Sequence, residues 1–243
     1  MVVALAVALV PAAAAALVRE SRTGTISPPP LVVEPGPGRL HFWLDAQLAL
    51  DAAPIEMTLS DGGRWRRDRV AARWELSTGI GIGRLAAALQ LWEGLVGLAL
   101  QGDVVERAGF QVSVSAGARV MYGAWWDLSL TPLVSWRRSL GARAALVPFV
   151  AARLRRGETF YAVQGWDDDH PTPYAEATTD DLALAPMAGL ALVLSPVELR
   201  ATAGWEAMLR TRVTWEERPT DLSREPGPFV LLALRGALGW TLR

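Results

Sequence analysis

The amino-acid sequence predicts an all-β fold: an antiparallel up-and-down β-barrel of about ten strands (between about eight and ten), preceded by an N-terminal apolar helix. Three observations lead to this prediction. Long stretches alternate apolar and polar residues, the connections between them are alternately long and short, and hydrophobic residues make up 51% of the chain. With charged residues at 20%, the sequence is too apolar for a disordered chain.

The clearest predicted strand runs from Val197 to Trp215 and reads VELRATAGWEAMLRTRVTW. Its odd-numbered positions are apolar almost throughout, whereas its even-numbered positions carry glutamates and arginines. Successive side chains of a strand point to opposite faces, so a period of two indicates a strand and not a helix. At roughly 3.3 Å per residue the stretch would extend ~60 Å, a length typical of a membrane-type barrel.

The same alternation predicts further strands along the chain. They lie within residues 40–50, 70–82, 110–122, 126–136, 142–156, 181–194 and 229–243. In one of them, Trp126 and Trp136 would lie about 30 Å apart, which is comparable to the separation of two aromatic girdles at the membrane surfaces.

Residues 83–103 fit two patterns. Leu85, Leu89 and Trp92 recur at helical spacing, but alternation with a turn at Glu93–Gly94 describes a hairpin equally well. We predict the hairpin because Gly94 and Gly97 would weaken a helix. The hairpin raises the strand count from about eight to about ten.

The connections support the higher count. Residues 52–68, 160–180 and 216–227 are predicted to form long polar loops, whereas the turns after Ile82, Arg137 and Leu194 are short. With ten strands, every long loop falls at the same end of the barrel, as in outer-membrane barrels.

The chain divides into three predicted regions. Residues 1–20 are apolar and are expected to be a signal peptide or a membrane anchor helix. Residues 21–38 form a Pro/Gly-rich linker, and residues 39–243 form the barrel domain. We expect the bacterial outer membrane as the location, or the periplasm if the N-terminal segment serves as a tether.

Alternation does not decide which face of the barrel is apolar. An inward apolar face would give a soluble, lipocalin-like barrel that binds a ligand in its cavity. We predict the outward orientation, because the apolar series are long and the opposite face mixes small residues with charges, as a narrow lumen requires. A lipid bilayer is then the expected partner.

The polar faces supply a predicted network of lumenal charges. Its members are Arg73, Glu75, Arg119, Asp127, Glu198, Arg200, Glu206, Arg210 and Arg212, with Asp45, Arg153 and Arg235 on the same faces. Charges in a small lumen must pair, because an unpaired buried charge costs several kcal/mol. The network could line a pore or ligand groove, but we expect a structural ladder that fills a closed barrel.

Few residues offer catalytic chemistry. The chain has no cysteine, and its histidines are His41 and His170. The loop from Asp167 through Asp168 and Asp169 to His170 resembles the omptin-type barrel proteases, which use Asp and His on rim loops, and its carboxylates could also bind Ca²⁺. We interpret it as a solvated turn, and therefore predict no catalytic residue, no metal and no cofactor.

Several stretches carry a further resemblance: GIGIGRLAAALQL, ALVPFVAARLRR, LAPMAGLALVLSP and PGPFVLLALRGALGW. They resemble small outer-membrane-type β-barrel domains of myxobacterial and related envelope proteins, over most of the chain from residue 40. We expect a non-enzymatic envelope protein that binds a small ligand or an envelope partner through its long loops; the alternative is a rim-active hydrolase. A net charge of −1 argues against nucleic acid as a partner.

Overall fold

The structure is a computed structural model that describes residues 39–51, 55–59, 64–67, 71–92, 95–121, 126–164, 173–216, 220–224 and 227–241. The predicted N-terminal helix (1–20) and linker (21–38) lie outside these residues. No helix in the described ranges is long and apolar enough to cross a membrane.

The described residues form fourteen β-strands. They are β1 (Arg39–Asp51), β2 (Ile55–Leu59), β3 (Arg64–Arg67), β4 (Ala71–Ile82), β5 (Leu85–Trp92), β6 (Leu95–Arg107), β7 (Phe110–Met121), β8 (Trp126–Trp136), β9 (Arg138–Ser139), β10 (Ala144–Gln164), β11 (Pro173–Leu194), β12 (Val197–Glu216), β13 (Thr220–Arg224) and β14 (Gly227–Thr241).

Ten of these strands close into an antiparallel barrel. Its order is β1-β4-β5-β6-β7-β8-β10-β11-β12-β14, and β14 pairs with β1 to complete the ring. The two-residue strand β9 pairs with the start of β10. The prediction of a closed ten-strand antiparallel barrel is confirmed.

The uncertain stretch 83–103 is a hairpin, as predicted. Strands β5 and β6 pair continuously from Leu85 opposite Gly102 to Trp92 opposite Leu95. Residues 93–94, where the turn is predicted, fall between the two strands and lie outside the described residues.

The apolar faces of the barrel strands point outward. All ten strands contribute exposed large hydrophobic side chains, such as Leu98, Leu128 and Leu232, whereas the intervening side chains are mostly buried. The inward-facing alternative, a lipocalin-like soluble barrel, is therefore wrong. An apolar surface that encircles the whole barrel requires a bilayer around it, and a closed ring satisfies every backbone group there.

Two predicted loops contain strands of their own. The 52–68 loop includes β2 and β3, and the 216–227 loop includes β13. The three strands form a separate small sheet in the order β13-β2-β3. These segments were predicted to be loops because of their polar composition and turn-forming residues, and their strands are short.

The third predicted loop, 160–180, is mostly strand. β10 continues to Gln164, and β11 begins at Pro173, so the two strands pair from Ala144 opposite Leu194 to Gln164 opposite Pro173. Thr159, Phe160 and Tyr161 are residue types that favour strands. The alternation of apolar and polar residues fades where the ribbon extends beyond the apolar surface, so the sequence pattern ended too early.

Aromatic rings fill part of the interior by lying over glycines on the neighbouring strand. The pairs are Trp43 with Gly79, Phe149 with Gly189, and Phe229 with Gly204. A Cβ at Gly189 would lie 2.3 Å from Phe149 Cζ, closer than real atoms approach. Glycines at these positions thus make room for rings in a narrow barrel.

Candidate functional site

The barrel interior holds two networks of charged side chains. The first is centred on Asp45 of β1, whose Oδ2 accepts hydrogen bonds from Arg200 Nη2 at 2.9 Å and Arg235 Nη2 at 2.8 Å. Glu198 contributes a second carboxylate, 3.8 Å from Nη1 of both arginines. Because Arg235 lies directly opposite Asp45 on one side and Glu198 on the other, strand pairing itself places the four charges together.

An aromatic ring completes this first network. The guanidinium of Arg235 lies over Trp43, 5.6 Å from the ring centroid. The ring's negative face adds to the stabilisation of the buried cation, alongside the two carboxylates.

The second network lies nearer the long-loop end and is centred on Asp127 of β8. Arg153 Nη2 is 3.4 Å from Asp127 Oδ1, and Arg155 Nη1 is 3.5 Å from Oδ2. On the strands that continue around the barrel, Arg119 Nη1 lies 3.9 Å from Glu75 Oε2. Each arginine therefore has a carboxylate within reach, as burial of charge requires.

The side chains at the centre of the second network are almost completely buried. Asp127, Arg153 and Arg155 are each 1% exposed. A side chain with so little accessible surface has no water-sized space beside it. These three side chains thus form a packed layer within the described part of the barrel.

The structure places six of the nine predicted lumenal residues in this buried interior. They are Glu75, Arg119, Asp127, Glu198, Arg200 and Glu206. Asp45, Arg153 and Arg235 are buried with them. Arg73 lies on β4, where the structure describes only its backbone.

The prediction is wrong for Arg210 and Arg212, which are exposed on the outside of the barrel. The cause is a β-bulge in β12: Met208 pairs with Ala183 and Arg210 with Leu182, so Leu209 has no partner. One extra residue reverses the alternation beyond it. Arg210 therefore points outward, like Leu182 opposite it, and not inward as Glu206 does.

Two buried charges escaped the sequence prediction, Arg155 and Asp181. Arg155 follows Arg153 by two residues within the predicted strand 142–156, so the alternation that places Arg153 inside the barrel places Arg155 there as well. Asp181 lies on the same face of β11 as the buried residues Ala183 and Ala185, but it directly follows residues 160–180, which were predicted to form a loop. It is 0% exposed, and neither of its carboxylate oxygens has a hydrogen-bond partner within the described structure.

The remaining candidate chemistry lies elsewhere. Asp167, Asp168, Asp169 and His170 fall outside the described residues. Within the described ranges, no group of three or more His, Cys, Asp or Glu residues is placed to hold a metal ion.

A closed antiparallel ring with apolar side chains outside and charged pairs inside is a transmembrane β-barrel of the outer-membrane type. No protein-family model matches the chain, and comparison with curated proteins gives no match.

Solved structures similar to this chain are outer-membrane barrels at low identity. Neisserial surface protein A is 12% identical, with 80% of this chain and 96% of that chain covered and a TM-score of 0.30. The attachment invasion locus protein of Yersinia pestis is 9% identical, with coverage of 82% and 99% and a TM-score of 0.32. The outer membrane protease OmpT of Escherichia coli is 10% identical, with coverage of 84% and 97% and a TM-score of 0.35. Likenesses of this size carry no information about activity.

Proposed function

We propose that this chain is a non-enzymatic protein of the bacterial outer membrane, with a structural charged interior and a binding function at its long-loop end. Residues 1–20 would direct export or serve as an anchor, and residues 21–38 would link them to the barrel. The barrel would be related to the small β-barrel domains of myxobacterial and similar envelope proteins. The long-loop end of the protein would bind a small ligand or another envelope protein.

The packed layer of Asp127, Arg153 and Arg155 supports the structural role most strongly. A conducting pore needs a continuous path of water, and these three side chains have no water-sized space beside them. The balance of charge points the same way, because Asp45 and Glu198 match Arg200 and Arg235 in the first network. Mutual neutralisation is what a filled interior requires.

The long-loop end is the part of the barrel best suited to binding. β10 has 21 residues and β11 has 22, whereas a strand needs only about 9–11 residues to cross a bilayer. The β10–β11 ribbon therefore extends well beyond the membrane. The small β13-β2-β3 sheet lies in the connections at the same end.

Ion conductance tests the structural role of the interior. The purified full chain, reconstituted into planar bilayers, should show no steady channel conductance. A variant with Asp127, Arg153 and Arg155 all changed to Ser removes the packed layer and should conduct, with heat-modifiable gel mobility reporting whether it folds. Steady conductance by the folded wild-type protein would show that the interior is a pore.

Peptide and lipid hydrolysis test the non-enzymatic part of the proposal. The wild-type chain and a His170→Ala variant should both be inactive. Hydrolysis by the wild type that disappears in His170→Ala would assign the 167–170 loop a catalytic role and overturn the proposal.

A further inference from the structure

The β12 bulge creates a cluster of arginines on the outside of the barrel. Arg156 of β10 and Arg210 of β12 both donate to Asp180 of β11: Arg156 Nη2 and Arg210 Nη2 each lie 3.1 Å from Asp180 Oδ2. Both arginine side chains remain 55% exposed. Arg212, directly opposite Asp180 in the strand register, is also exposed and has no ion pair among the described residues.

The cluster lies at the border of the lipid-facing surface. Toward the short-turn end, the outward position that follows Arg156 on β10 is Leu154, and those that follow Asp180 on β11 are Leu182 and Leu184. Leu154 and Leu184 are exposed. On the neighbouring strand β8, the ring of Trp126 lies under the Arg156 guanidinium, 5.9 Å from its centroid to Cζ. A tryptophan beside arginines at the edge of an apolar surface is typical of the membrane–water interface.

The charge of the cluster favours an anion. Among the described side chains of the cluster, Asp180 and its neighbour Glu158 supply two carboxylates against the three arginines, which leaves one net positive charge. Guanidinium groups present N–H donors in a planar fork that fits two phosphate oxygens at once. Arg156 and Arg210 donate to the same carboxylate, so the two guanidinium groups lie side by side at the surface.

We propose that Arg156, Arg210 and Arg212 bind the head-group phosphate of a phosphorylated lipid in the leaflet at the long-loop end. The acyl chains of the lipid would lie along Leu154 and Leu184. The bulge at Leu209 is the device that turns Arg210 and Arg212 toward this lipid. The site depends on the membrane placement of the barrel, but not on whether the interior is closed or the loops bind a partner.

Lipid binding by the purified full chain in neutral maltoside micelles tests the site. Phosphatidic acid is the probe. Phosphatidylcholine is the control lipid, because its phosphate is a diester and not a free monoester. The Arg210→Gln/Arg212→Gln variant should bind phosphatidic acid on the order of tenfold more weakly than the wild type. The matched control is Arg138→Gln/Arg143→Gln, which removes two exposed arginines at the short-turn end and should leave binding unchanged.

A variant that binds phosphatidic acid more tightly distinguishes loss of the binding site from a folding defect, because misfolding would only weaken binding. Asp180→Asn removes the carboxylate that competes for Arg156 and Arg210, so it should bind phosphatidic acid more tightly than the wild type. Unchanged or weaker binding by Asp180→Asn would overturn the proposal, as would an equal loss in the two arginine double variants. Displacement of the lipid by inorganic phosphate at the same concentration would also overturn it, because the acyl chains would then contribute nothing.

Discussion

Two aspartates in this barrel each pair with two arginines, one inside the barrel and the other on its outer surface. Asp45 is bonded to Arg200 and Arg235 inside the barrel, and Asp180 is bonded to Arg156 and Arg210 outside it. The inner pairs are 2–5% exposed, whereas the outer arginines are 55% exposed. Water can replace a lost carboxylate only at the outer site, so the same substitution should have different consequences at the two positions.

The Asp45→Asn substitution should destabilise the folded barrel by about 3–5 kcal/mol, because it leaves two buried arginines with a single carboxylate, that of Glu198. The measurement is the free energy of unfolding in urea, from lipid vesicles. Asp180→Asn is the matched control and should lose far less, since solvent screens an exposed pair. Equal losses would mean that the inner network contributes no more than a surface ion pair.

At the scale of single strands, alternation predicted much of what is observed. It correctly gave the inward and outward faces of β1, β8 and most of β12. For residues 83–103 the spacing of apolar residues also fitted a helix, and Gly94 and Gly97 favoured the hairpin that is observed. Alternation failed beyond Leu209, because a bulge adds one residue without any signal in the composition of the strand. It also ended β10 too early, since the alternation of apolar and polar residues fades after Arg156 although the strand continues to Gln164.

The glycine–aromatic pairs give a prediction for individual strands. Gly189→Ala should destabilise the barrel by about 1–3 kcal/mol, because its Cβ would overlap the Phe149 ring and lie 2.6 Å from the Ala201 carbonyl oxygen. Gly236→Ala on β14 is the control, since no atom lies within 4 Å of its Cβ position. The midpoint of urea unfolding compares the two variants; a similar midpoint for both would show that the interior readily accommodates the added methyl group.

For the whole molecule, the direction of the apolar faces decides the class of protein. The alternation in the sequence does not exclude an inward apolar face, because a lipocalin-like barrel has the same alternation with its apolar side chains pointing inward. The exposure of Leu98, Leu128 and Leu232 on separate strands removes that alternative. The small β13-β2-β3 sheet could not be predicted, since its strands come from two loops that are distant in sequence.

Cysteine reactivity along β8 tests the central claim that lipid surrounds the barrel and packed side chains fill it. The chain has no cysteine of its own, so single cysteines can be introduced at outward Leu128 and Leu130 and at inward Thr131 and Ser135. In vesicles, the outward cysteines should react with a membrane-soluble maleimide but not with a charged thiol reagent. The inward cysteines should react with neither until the protein is unfolded. Rapid labelling of Thr131→Cys by the charged reagent would reveal a water-filled lumen, and rapid labelling of Leu130→Cys by it would place the apolar face in water; either result would contradict this account.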